Sequence, residues 1–240
     1  MTMPEISDTQ RRAARAVGVC YLVAMVLAIF GENYVRGSLL VADNATATAR
    51  NLMAHEPLFR VGIVGELLTF TSDVVLITSL YVILSPVSRY LALVAAAFRI
   101  VEAAVCVVMA AQSFDALRLL SGAPYLRVVD PNTLDALARL TLSAHGSTYN
   151  VAFVFLGFGS TIFGYLWWKS RYVPSALGIL GIVASFLLGA GTLVPMVFPA
   201  AWNVMYPAYM VPMFLFEVGM GLWLLVKGLP RQPVTSSASP

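Results

Sequence analysis

Six long apolar runs dominate the chain, at residues 13–30, 61–84, 90–113, 149–168, 175–197 and 209–226. Each approaches or exceeds the roughly 20 residues with which an α-helix crosses a bilayer. The runs are continuous, not the alternating segments of about ten residues that build a membrane β-barrel. The predicted fold class is therefore all-α, a polytopic transmembrane bundle of six helices over residues 13–228.

Polar segments between the runs predict the connections. SPVSR and KSRYVP are short enough for tight hairpins on one side of the membrane. On the other side stand two long loops, residues 31–59 and 114–147, and each holds helix punctuation. ATATARNLMAHEP follows an Asp43/Asn44 start signal and stops before Pro57. PNTLDALARLTLSAHG starts at Asp130-Pro131, places Leu134, Leu137, Ala138, Thr141 and Leu142 on one face, and reaches a glycine at Gly146. Both read as short amphipathic helices lying at the outer surface or capping the bundle. VPMVFPAAWNVMYPAYMVP, with Pro195, Pro199, Pro207 and Pro212, reads as a broken interfacial link, with Trp202, Tyr206 and Tyr209 as membrane-belt aromatics. Residues 1–12 form a polar N-terminal tail, and the proline-rich stretch 229–240 is expected to be disordered. Arg11, Arg12 and Arg15 before the first run imitate a signal peptide, but GENYVRG lacks a small-x-small cleavage pattern, so an uncleaved first helix is expected.

Composition strengthens the membrane reading. Of 240 residues, 59% are hydrophobic and 11% charged, against roughly 25% charged in a soluble domain; the mean hydropathy is +0.81. The net charge of +3 comes from scattered basic residues without a patch of interleaved aromatics, which excludes nucleic acid as a partner. Alternating the six runs places eight Lys/Arg residues on the side of the termini and six on the other. By the positive-inside rule both termini are cytoplasmic, in a multi-pass protein of the plasma membrane. Cys20 and Cys106 lie within apolar runs and read as buried thiols, not as a disulfide or metal site.

Five ionisable side chains interrupt the apolar runs: Glu66, Asp73, Arg99, Glu102 and Glu217. Each costs about 2.5–3.5 kcal/mol in hydrocarbon when charged and unpartnered, so each should face the bundle interior. Glu66 and Asp73 are seven residues apart and share a helix face; Arg99 and Glu102 share one at i, i+3. Across the SPVSR hairpin, Asp73 and Arg99 stand at nearly equal depth, which predicts an ion pair between them. Four carboxylates against one arginine leave surplus negative charge, which a low-dielectric interior holds only with protons or a bound cation. His145, near the outer end of the fourth run, is placed to supply part of the compensation; as to ligands, His145 and His55 read as interfacial polar residues instead, and Glu32/Arg36 as an interfacial pair. Gly181, Ser185 and Gly189, at four-residue intervals, permit close helix contact within the bundle or, as the second use, a homo-oligomer face.

The stretches RRAARAVGVCYLVAMVLAIFGENYVRGSLL and LFRVGIVGELLTFTSDVVLITSLYVILSPVSRYLALVAAAFRIVEAA resemble the bacterial family known as domain of unknown function 4386. The resemblance covers residues 10–228 and implies a multi-helix integral membrane protein with no established activity. No metalloprotease, nucleophile-elbow, phosphate-loop or dinucleotide motif is present, so no catalytic residue, metal ligand or cofactor is assigned. The leading functional reading is transport or binding of a small molecule, proton or cation through an acid-rich intramembrane cavity formed by Glu66, Asp73, Arg99, Glu102, Glu217 and His145. A membrane-embedded enzyme using the same carboxylates with His145 stands second, and a non-catalytic assembly component third.

Overall fold

The structure, a computed structural model, describes residues 6–230. Helix α1 starts at Asp8, where Ser7 closes a reciprocal cap: its Oγ accepts from the Gln10 amide at 3.2 Å and its own amide donates to Gln10 Oε1 at 2.9 Å. The first helical turn thus takes up residues expected in the N-terminal tail, whereas residues 231–240 of the expected C-terminal tail lie outside the described part. α1 is α-helical over Asp8–Ile29, passes through a π-helical segment at Phe30–Arg36, and ends with one more turn at Gly37–Leu39. After it come α2 (Ala45–Ala54), α3 (Glu56–Leu84), α4 (Arg89–Leu120), α5 (Pro131–Ser170), α6 (Ser175–Val197) and α7 (Trp202–Val226). Six of these are long and apolar enough to span a membrane.

The helices outrun their apolar cores, and this corrects the expected loops. The segment from Asp130 to Gly146 is not a separate surface helix; it is the first part of a continuous 40-residue α5. Asp130 caps it by accepting from the Thr133 amide at 3.1 Å, and Gly146, with open space beside it, does not end it. A lone glycine costs a helix only about 1 kcal/mol, less than the packing of the buried Leu142 and His145 before it and Ala152 after it provides. The proline-rich link is likewise helical. Only Phe198–Ala201 separates α6 from α7, and Pro207 and Pro212 lie inside α7, Pro195 inside α6. Each removes one backbone bond, tolerated where neighbouring helices cover the site. Trp202 and Tyr206 are exposed as belt residues should be, whereas Tyr209 is buried against Phe153 and Gly191.

Neighbour follows neighbour around a closed ring: α1 packs on α3, α3 on α4, α4 on α5, α5 on α6, α6 on α7, and α7 returns to α1. Both ends of the described chain and both tight hairpins lie on one face, called here the terminal side; α2 and the long ends of α4 and α5 lie on the loop side. At 1.5 Å per residue α5 is about 60 Å long, twice the hydrocarbon thickness. Its excess projects on the loop side, because the hairpin to α6 anchors its other end. Outward faces carry Val19, Val23, Val61, Val64, Ile100, Val107, Ile179 and Phe186, all exposed. Such surfaces are stable against lipid and costly in water.

Small residues close the ring. Gly157 of α5 crosses α6 so tightly that a Cβ there would overlap the backbone of Gly189 and sit 2.7 Å from the Ser185 carbonyl oxygen. Gly181 lies against the Phe216 ring, and Ser185 is fully buried. The three small residues of α6 are therefore in contact inside the protomer, with α5 and α7.

Candidate functional site

Two polar layers sit inside the ring at different depths. The deeper one is built by Asp73, Arg99, Glu102 and Ser160, with Glu217 close by. Asp73, Arg99, Ser160 and Glu217 each stand nine to eleven residues from the terminal-side end of their helix. That is about 14–17 Å of rise, the middle of a hydrocarbon slab about 30 Å thick. Arg99 is 4% exposed and central: its Nη2 is 3.6 Å from Asp73 Oδ1 and its Nε 3.5 Å from Glu102 Oε2, and its Nη1 donates to Ser160 Oγ at 3.2 Å. Gly159 on α5 admits the arginine, since a Cβ there would stand 3.1 Å from Arg99 Cγ. The Cys106 thiol donates to Glu102 Oε1 at 3.6 Å. Glu217 on α7 is half-buried, and among the described residues no side chain hydrogen-bonds or ion-pairs with it.

A second layer lies toward the loop side. Glu66 is 18 residues from the end of α3 at Leu84, about 27 Å, which is the edge of the hydrocarbon. Its Oε1 lies 3.2 Å from His145 Nε2 and 3.9 Å from Arg36 Nη1. His145, 2% exposed, also stands 3.6 Å from Glu32 Oε1. Arg36 is buried, donates from Nη2 to the Leu142 carbonyl at 3.1 Å, and approaches Glu32 at 3.9 Å. The π-helical segment makes this layer possible. Its wider i→i+5 turns rotate Glu32 and Arg36 inward from the end of α1; such insertions frequently mark functional sites.

An apolar septum separates the layers: Phe70, Cys106, Met109 and Ala152 form one buried cluster, flanked by Val105 and Tyr149. On its loop side a small, partly open cleft lies between α1, α3 and α5, with enclosed room for about one water-sized guest. Of the buried side-chain polar atoms without a hydrogen-bond partner among the described residues, four belong to these layers, two in each: Arg36 Nη1 and Glu66 Oε2, Arg99 Nε and Glu102 Oε2. Arg99 Nε stands 3.5 Å from Glu102 Oε2 and Arg36 Nη1 3.9 Å from Glu66 Oε1, ion-pair distances longer than a direct hydrogen bond, so each layer keeps unused hydrogen-bonding capacity.

The six residues singled out in the sequence thus do not share one chamber. Asp73, Arg99 and Glu102 meet, with Glu217 beside them, while Glu66 and His145 meet one layer away. Sequence reading missed Arg36 and Glu32 as interior residues because the first apolar run stops at Phe30. The periodic burial of Val35 and Leu39 beyond it is the signal that the helix continues inward. Ser160 was missed because an isolated serine in an apolar run carries no signal. His55 is exposed, with its ring against the Asn51 carbonyl, outside both layers. One donor atom each from Glu32, Glu66 and His145 lie within 4.8 Å of one another, a spacing able to hold a metal ion.

No solved structure matches the chain. An uncharacterised protein of Archaeoglobus fulgidus is 27% identical over 176 residues, which are 73% of this chain and 88% of that protein. A family model described as domain of unknown function (DUF4386) matches residues 16–228, nearly the whole membrane bundle, and the chain belongs to that family.

Proposed function

We propose that this protein binds a small cation, the proton included, and passes it across the membrane between its two buried acidic layers. One observation carries the reading: five carboxylates, of which Asp73 and Glu102 are buried and Glu32, Glu66 and Glu217 partly so, stand with two buried arginines and one buried histidine in two layers with an apolar cluster between them. Buried acid in excess attracts cations, and intramembrane ionisable residues are functional by default. The orphaned atoms of each layer offer a guest its contacts, and the septum supplies the barrier that keeps the layers from short-circuiting. Both termini face the cytoplasm in this reading, on the residue count of the positive-inside rule. A single binding cavity shared by all six residues is replaced by two stations about 10 Å apart along α3, the rise between Glu66 and Asp73.

The test is flux into liposomes reconstituted with the full chain, followed with an interior pH-sensitive dye under an imposed ion gradient. Wild type is expected to dissipate the gradient faster than empty liposomes. Glu217→Gln, which keeps shape and removes one charge from the deeper layer, is expected to return flux to the empty-liposome background while eluting and melting as wild type does. Equal flux in wild type, Glu217→Gln and empty liposomes rejects the reading.

Phe70→Ala probes the septum. Truncating this buried ring is expected to raise passive leak in the same assay, at a stability cost of about 3–5 kcal/mol. Unchanged leak in a folded variant removes the septum from the mechanism.

A further inference from the structure

We propose that Glu32, Glu66 and His145 form a binding site for a divalent transition-metal ion, with zinc as the best-fitting case. This rests on the cation reading only in the identity of the cargo; the site itself stands on its own geometry.

Three helices each deliver one donor: α1 through its π-helical segment, α3, and α5. The two measured edges are 3.2 Å from His145 Nε2 to Glu66 Oε1 and 3.6 Å from His145 Nε2 to Glu32 Oε1. Zinc binds nitrogen and carboxylate oxygen at about 2.0–2.2 Å in a tetrahedron, which places ligand atoms roughly 3.3–3.5 Å apart. The observed edges bracket that spacing. A donor set of one imidazole and two carboxylates suits zinc and its first-row neighbours, whereas magnesium and calcium prefer all-oxygen shells of six or more ligands.

The second observation concerns Arg36. Its side chain is 9% exposed, its Nη1 has no hydrogen-bond partner, and that nitrogen is aimed at Glu66 from 3.9 Å. The bond from Nη2 to Leu142 holds it in place. An arginine beside a metal weakens it by repulsion, yet two carboxylates against one guanidinium leave the site negatively charged before an ion enters. What the free N–H lacks is an acceptor, and a hydroxide or other anion on the fourth position of the metal is one. Glu66 Oε2, buried and without a partner, is the free atom of a carboxylate whose other oxygen is already engaged. Glu32 and Glu66 line the small cleft, whose wall includes Gly31, Thr69 and Tyr149, and Gly31 leaves open space beside them. At this depth the site stands at the edge of the hydrocarbon, reachable from the loop side. Entry of the ion displaces any proton on Nε2, which leaves to solvent, because a ligating imidazole must present its lone pair.

The experiment uses the full chain, purified in detergent, stripped with chelator and dialysed against Zn²⁺, with Co²⁺ as the spectroscopic probe. Expected are stoichiometric zinc and the intense visible absorption of tetrahedral cobalt. Both are expected to be lost in Glu32→Gln and in His145→Gln and kept in Asp115→Asn, an exposed carboxylate outside both layers. Glu32 is 41% exposed at its side chain, so its variant folds even where the buried histidine's does not. Absence of zinc from wild type, or retention of zinc and cobalt colour in a folded Glu32→Gln, overturns the site. The flux assay separates this from the broader reading: flux without metal binding rejects the site alone. Stoichiometric metal without flux supports the site and rejects transport.

Discussion

Arg99→Met is expected to abolish accumulation of folded protein, or to melt far below wild type where some is recovered. The guanidinium is the only cation in the deeper layer among the described residues, and it holds Asp73, Glu102 and Ser160 at once. Methionine fits the volume but leaves two carboxylates facing each other in hydrocarbon. Breaking a buried pair from one side costs about 3–5 kcal/mol, because the surviving charge keeps its desolvation penalty and loses its partner. Arg99→Lys is expected to recover part of this, since a point-like ammonium reaches one carboxylate but not three partners in fixed directions. Arg99→Met combined with Asp73→Asn and Glu102→Gln should recover more, because no charge is then stranded. Thermal melting in detergent, read by intrinsic fluorescence, checks the series. If Arg99→Met melts as wild type does, the carboxylates do not depend on it.

Gly157→Ala is expected to be the costliest methyl addition in the molecule. The new Cβ would meet the Gly189 backbone and the Ser185 carbonyl, atoms that move only if α5 and α6 separate along their length. Overpacking costs about 1–3 kcal/mol where side chains can yield, and here backbone must yield, so a loss of about 3 kcal/mol or more is expected. Gly146→Ala on the same helix is the control. Nothing lies within 4 Å of the added carbon, and replacing a mid-helix glycine should stabilise by roughly 0.5–1 kcal/mol. Opposite shifts in melting temperature for two glycines eleven residues apart would confirm that contact, not helix propensity, decides. Equal shifts would refute the close crossing.

Much of the fold could be read because lipid imposes a simple rule on the chain. Backbone polar groups must be satisfied inside each span, so an apolar run of sufficient length has one choice of structure. Where that rule stops, so did the reading. Helix ends beyond the hydrocarbon are set by caps and neighbours, which is why Asp130 to Gly146 looked like a separate helix and Phe30 like an end. Depth matching through the short hairpin brought Asp73 and Arg99 to one level, because equal rise on two antiparallel helices is geometry alone; the structure places them 3.6 Å apart. It could not assign a partner to Glu66. The histidine and arginine near that glutamate come from α5 and from the π-helical end of α1, at sequence separations of 79 and 30 residues.

By itself, then, the sequence determined that this chain is a bundle of membrane-spanning helices, that its few buried charges turn inward, and that two of them lie at one depth. Hydrophobic length and helical rise suffice for each of these, since both act within a helix or across a tight turn. The tertiary structure alone decided that the helices close into a ring in chain order and that the charges divide into two layers with an apolar septum between. Only it showed that Glu32, Glu66 and His145 converge from three helices. Convergence of that kind depends on rotation about each helix axis and on the extra width of one π-helical segment, quantities that packing between distant parts of the chain sets and that no local pattern records.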